Sequence, residues 1–243
     1  MNAITFELCA ETLQACLAAR KGGANRIELC SSLSEDGLTP SHALIRAAVE
    51  QSDLPIHVLL RPRGGGFVYS TGEFALICDD MKHASDLGAS GFVVGVLHGD
   101  GTIDLERTNE LVELASPLEV TFHRAFDLTP SLDASLEGII AAGCRRVLTS
   151  GGEPDVVAGS VNLARLVTQA EDRIDIAVGG GLRLSNAPSV ARSTNAKHFH
   201  GSMRRQVKPT AIPIRDNVLA SQNHEYVVDP EDIQAMVAAL SRG

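Results

Sequence analysis

Short β-like runs alternate with amphipathic helical segments along almost the whole chain, and few folds accommodate that alternation. The runs lie near residues 4–9, 26–30, 56–61, 91–97, 119–124, 146–150, 174–179 and 197–201. Between them apolar residues recur at i, i+3 and i+4, as in Phe74/Ile77/Cys78/Met81 and Leu163/Leu166/Val167/Ala170, the spacing of a single helix face. Thr39-Pro40, Thr129-Pro130 and Asp229-Pro230 each read as an N-cap followed by proline at the first helical position. Ser70 and Glu73 have capping-box spacing, and Gly22-Gly23, Gly88 and Gly143 mark helix stops.

Eight strands alternating with helices in 243 residues predict an α/β fold, a single-domain (β/α)8 TIM barrel over residues 1–243. A doubly wound sheet would carry a G-x-G-x-x-G turn after its first strand, and Cys9-Ala10-Glu11-Thr12 is no such turn. Loop lengths agree with the barrel. Helix-to-strand links such as Gly23–Asn25 are short, whereas Ser31–Thr39, Pro62–Gly72 and a long loop at about 203–229 before the last helix follow strands. Barrel active sites are built at those carboxyl ends, and the 203–229 loop is placed to close over them.

Side chains alternate across a strand, so the helix-facing aliphatic positions fix what points inward. Phe6-Glu7-Leu8-Cys9 recurs as Ile27-Glu28-Leu29-Cys30, which turns an acid and a thiol inward on each of two strands. The same parity turns His57 and Arg61, His123, Asp175, and His198, His200 and Ser202 inward, with Ser150 at a strand end. Glu7, Glu28, His123 and His200 are therefore candidates for acid–base chemistry. The bland alternative pairs both acids with Arg61 in a structural ion network and packs both thiols as small hydrophobes. Arg61, Arg63, Ser150, Gly179, Gly180, Gly181 and Ser202 form a candidate anion site, since glycine turns let backbone N–H groups approach an anion. His198, His200 and His123 offer a weaker, zinc-like set, and His42, His83, His98 and His224 read as solvated.

A net charge of −9 argues against nucleic acid, and no apolar run reaches the roughly 20 residues of a membrane span. The chain enters its first strand too early for a secretion leader. Five cysteines without a regular framework read as reduced thiols, and the expected location is the cytoplasm.

Glu28-Leu29-Cys30, Gly37-Leu38-Thr39-Pro40-Ser41, Arg61-Pro62-Arg63-Gly64-Gly65, Tyr69-Ser70, Thr121-Phe122-His123-Arg124-Ala125-Phe126-Asp127, Leu148-Thr149-Ser150-Gly151 and His200-x-Ser202 together resemble the CutC copper-homeostasis family. The match runs from Glu7 to about Ser202, with Gly66 and Asp36 as departures from the family pattern. The resemblance implies a cytosolic barrel, a homo-oligomer with a dimer expected, and copper handling through Cu(I) on Cys9 and Cys30. Soft thiolates select Cu(I), and neighbouring strands bring two thiols within reach of one ion. The residues themselves also support an enzyme acting on a small anionic or phosphorylated substrate.

Overall fold

Aliphatic and aromatic residues at alternate strand positions dictate the architecture. The computed structural model describes residues 4–207 and 225–242. Its first eight strands are β1 (Thr5–Ala10), β2 (Arg26–Leu29), β3 (Ile56–Leu59), β4 (Gly91–Val94), β5 (Glu119–Phe122), β6 (Arg146–Thr149), β7 (Asp175–Val178) and β8 (His198–Gly201). All pair in parallel and close in sequence order into one barrel, with β8 returning to β1. Helices α1 (Leu13–Gly22), α2 (His42–Ser52), α3 (Thr71–Asp86), α4 (Leu105–Ala115), α5 (Leu132–Ala141), α6 (Ser160–Ala170), α7 (Ala187–Thr194) and α8 (Pro230–Leu240) complete the alternation. The (β/α)8 TIM barrel expected from the sequence is the observed fold.

The main core lies between barrel and helices. Phe6, Leu8, Ile27, Leu29, Val58, Phe92, Phe122, Val178 and Phe199 point outward into it and are almost wholly buried. Each such side chain contributes about 1.5–3 kcal/mol. A second, smaller apolar cluster of Cys9, Cys30, Leu59 and Val93 sits apart from it. These four residues lie at inward positions of their strands, so the barrel interior is only partly greasy.

Two helix starts differ from expectation. Ser41 and Ser131, not Thr39 and Thr129, cap α2 and α5, their hydroxyls accepting from the Leu44 and Ala134 amides. Both threonines are engaged elsewhere: Thr39 Oγ1 accepts from the Arg61 amide and Thr129 Oγ1 donates to the Phe126 carbonyl. Asp229-Pro230 does start α8, and Ser70 with Glu73 forms the capping box of α3. The 203–229 segment is not all loop. Arg204–Val207 (β9) and Glu225–Val228 (β10) form a two-stranded antiparallel sheet. Arg204–Val207, with two arginines and a glutamine, gives little β signal in sequence, and the run Tyr226-Val227-Val228 does not by itself say which strand it pairs with. Residues 208–224, His224 among them, lie outside the described residues.

Candidate active site at the barrel mouth

Parallel pairing places Glu7 opposite Arg26 on one side and His200 on the other. Glu7 Oε2 accepts from Arg26 Nε at 2.5 Å, Arg146 Nη2 lies 3.6 Å from its Oε1, and His200 Nδ1 is 2.7 Å from that same oxygen. Burial pushes the Glu7 carboxyl up, but Arg146, Arg26 and His200 together outweigh it and hold it well below the usual carboxylate range. Arg26 also donates to Thr121 Oγ1, and His57 Nε2 lies 3.5 Å from its Nη1. Burial and the Arg26 charge push His57 down to about 3, so it is neutral. The ion network foreseen for Glu7 therefore exists, but its arginines are Arg26 and Arg146 rather than Arg61. Strand parity alone places both: Arg26 shares the face of Glu28, and Arg146 that of Leu148.

Above this layer His200 turns its Nε2 toward Glu28 Oε2, 3.6 Å away. Burial pushes the Glu28 carboxyl up, with His200 opposing and Glu7 adding to the rise. For His200 burial acts downward, and Glu28 and Glu7 overcome it, so the imidazole holds its proton above the ordinary range. Cys9 completes the group: one ligand atom from each of Cys9, Glu28 and His200 lies within 4.8 Å of the others. Cys9 Sγ is 3.8 Å from Cys30 Sγ. The contact with Cys30, then burial and Glu28, push the Cys9 thiol well up, so it stays protonated at neutral pH. Cys30 is fully buried and its thiol donates to the Ala10 carbonyl at 3.6 Å.

These groups open into a cavity of about 670 Å³ at the carboxyl ends of the strands. Cys9, Glu28, Arg61, His123, His200, Gly180, Gly181 and Ser202 line it. Glu7 and Cys30 lie beneath the lining, and Arg63, Ser150 and Gly179 are not part of it. Arg63 binds Glu73 and the Gly66 and Val68 carbonyls beside the Tyr69 ring. Ser150 is tied to Asp127, Arg124 and the Glu153 carbonyl. Arg61 reaches the cavity, yet its guanidinium ties together the Glu35, Gly37 and Gly65 carbonyls and so fastens two loops. His198 sits at the opposite end of the barrel, 3.2 Å from Asp175 and far down its strand from the mouth.

Sequence reasoning passed over three further cations of the lining: Arg124, Arg183 and Arg204. Arg124 leans on Gly180, where a Cβ would stand 3.0 Å from the guanidinium carbon and where φ is +103°. It is held by Asp127, whose carboxylate also accepts from Thr149 Oγ1 and from the Ser150 and Gly152 amides. Arg204 pairs with Glu11 and lies over the Tyr226 ring. Arg183 makes no ion pair among the described residues. Its position after β7 was the only available signal.

The profile of the CutC family matches residues 4–205. A family protein CutC of Mesorhizobium japonicum is 46% identical over 205 residues, 84% of this chain and 80% of that protein. Another, of Chromobacterium violaceum, is 43% identical over 202 residues, 83% of this chain and 82% of its own. The solved structure of a Streptococcus agalactiae CutC protein superposes with a TM-score of 0.78 at 32% identity, covering 82% of this chain and 98% of that one. The profile match over most of the chain and relatives at 43% and 46% identity, with a solved CutC structure of the same barrel fold, lead to one conclusion: the chain is a member of the CutC family.

Proposed function

We propose that the protein is an enzyme that moves protons on a small anionic substrate held in the barrel mouth. The observation that carries this reading is the His200 imidazole set between two carboxylates of opposite character, one held ionised by arginines and one pushed up by burial. Such a pair separates acid from base at neutral pH. Glu28 and His200 face the cavity and exchange the proton; Glu7, beneath them, orients and charges the imidazole. Four guanidiniums on a chain of net charge −9 favour an anionic substrate. Five unpaired cysteines fit a reducing cytoplasm, and we extend the reading to a homo-oligomer there. No described helix is long and apolar enough to cross a membrane. The test is to incubate a metabolite extract with the protein or its Glu28→Gln variant and compare both by mass spectrometry. At least one small anion should change with the wild type alone; identical profiles discard the reading.

A second reading is Cu(I) binding, in line with the copper-homeostasis role assigned provisionally to the Streptococcus agalactiae protein. Its support is the Cys9, Glu28 and His200 group, in which a thiolate and an imidazole suit Cu(I) and the carboxylate suits it poorly. Cys30, 3.8 Å from Cys9, is the nearest further thiol. Anaerobic competition titration, with and without Cys9, decides it.

A further inference from the structure

Among the described residues, His123 is the one imidazole of the cavity wall with an unpartnered ring nitrogen. It is 6% exposed, and it stands at the end of β5 facing the Phe67 ring at 4.8 Å. Its Nδ1 accepts a hydrogen bond from the Ala125 amide at 3.1 Å. A nitrogen that accepts from a backbone N–H carries no proton, so the ring proton sits on Nε2. That Nε2 is buried and has no hydrogen-bond partner among the described residues. The ring fits only because residue 95 is glycine, since a Cβ there would overlap it. The site is therefore built to hold one imidazole in one tautomer, its N–H donor buried in the wall of the cavity that His123 lines.

A neutral donor serves a different end from a base. Arg61 lines the same cavity and is bound to three carbonyls, so its positive charge stays close. Beside it a protonated His123 is disfavoured, and burial with the Arg61 charge pushes the ring down to about 3. A fixed, uncharged N–H in a shielded site is the device that stabilises negative charge developing on oxygen. A buried donor left without a partner is costly. The missing partner is an acceptor supplied by the substrate.

We infer that the substrate is a small anionic carbonyl compound, and that His123 Nε2–H is a catalytic hydrogen-bond donor to its carbonyl oxygen rather than an acid or base. This rests on the proton-transfer reading above and names its substrate class. Glu28, in its ionised form, takes a proton from the carbon next to the carbonyl, while the protonated His200 beside it keeps its own. The C–H electron pair becomes a carbon–carbon double bond, and the carbonyl π pair moves onto oxygen. His123 donates to that oxygen and keeps its proton. Return of the proton to carbon closes the cycle with no redox change. Arg124 and Arg183, on the same wall as Gly180 and Gly181, hold the substrate's own anionic group.

The experiment uses phosphoglycolohydroxamate, a stable mimic of the enolate, against glycerol 3-phosphate, which carries the same anion without a carbonyl. Calorimetry should show the hydroxamate binding wild-type protein at least about tenfold more tightly, the worth of one hydrogen bond to a charged acceptor. That preference should vanish in His123→Leu and survive in part in His123→Gln, which keeps an N–H donor. In ¹⁵N NMR of the unliganded protein His123 should stay neutral with its proton on Nε2 from pH 5.5 to 8.5, and this signal needs no substitution to read. Hydroxamate should then move the Nε2 proton downfield. Equal affinity for the two probes, no binding of either, or a preference retained in His123→Leu overturns the inference. So does a His123 that titrates near 6.5 or carries its proton on Nδ1. None of these results touches the metabolite assay with Glu28→Gln, so the two readings fail separately.

Discussion

His200 Nδ1 lies 2.7 Å from Glu7 Oε1, and the same ring's Nε2 lies 3.6 Å from Glu28 Oε2. One imidazole thus joins a charge layer deep in the barrel to the cavity above. Glu7 is fixed by two arginines and stays ionised, while Glu28 has no such anchor and is driven toward its neutral form by burial. The two acids look alike in the repeated Glu-Leu-Cys segments, yet their neighbours give them opposite tasks.

That asymmetry is measurable as stability. Glu7→Gln leaves the buried Arg146 without its paired carboxylate and Arg26 with only the exposed Glu119, and breaking a buried pair from one side costs about 3–5 kcal/mol. Glu28→Gln replaces a carboxyl that burial already pushes toward neutrality and should cost less than about 1 kcal/mol. Urea denaturation of both variants at pH 7 makes the comparison. Equal losses would mean that the arginines do not single out Glu7.

The two inward glycines of β4 and its end are expected to matter for what they leave room for. A Cβ at Gly91 would overlap the His57 ring, and one at Gly95 the His123 ring. Gly95→Ala should destabilise by about 1–3 kcal/mol, the usual cost of overpacking. In a His123→Ala background the same change should cost much less, because the clash is with the ring. A double-mutant cycle reads this coupling directly, and additive effects would place the cost in the Gly95 backbone instead.

How much of this was legible beforehand follows from which physical rule each feature obeys. Strand parity is a local rule, and it placed Glu7, Glu28, Cys9, His123 and His200 inside the barrel. It equally placed Arg26 and Arg146, which went unnoticed because a charged residue at a strand start reads as solvated. Parity says nothing about a side chain beyond the strand end. Arg63 and Ser150 followed the motif into the mouth on paper, yet Glu73 and Asp127 turn them aside through contacts 10 and 23 residues distant in sequence. The β9–β10 pair was hidden for a related reason, since its register depends on partners far along the chain. Arg183, in the loop after β7, and Arg204, at the start of β9, entered the site through long-range placement that no periodicity reports.

The two cysteines should part company in copper binding. Cys9 lines the cavity and belongs to the close group with Glu28 and His200, whereas Cys30 is turned to the Ala10 carbonyl. If Cu(I) binds, Cys9→Ser should lower affinity far more than Cys30→Ser. Binding must expel the proton that the Cys9 thiol holds well above its usual range. Affinity should therefore rise at least about tenfold per pH unit between pH 6 and 8, and more steeply where His200 must also give up its proton. Competition titrations that are flat with pH, or equally weakened by the two substitutions, would remove Cys9 from the site.

Acid stability reports on the neutral histidines. His57 and His123 are each pushed down to about 3 in the folded chain, against 6.5 ordinarily. Below pH 6.5 the unfolded chain takes up protons that the folded chain refuses, so each histidine's contribution is whole above pH 6.5 and is lost as pH falls toward 3. Between pH 6.5 and 5 the loss is about 2 kcal/mol per histidine. Glu28 and His200 are raised and act in the other direction, which blurs the profile of the wild type alone. The difference between wild type and His123→Gln cancels them. That difference, from urea midpoints at pH 6.5, 5.8 and 5, should shift by about 2 kcal/mol in favour of the variant as pH falls. A difference that stays constant would mean that His123 accepts a proton in the fold as readily as in the open chain, and the fixed neutral donor at the cavity wall would be lost with it.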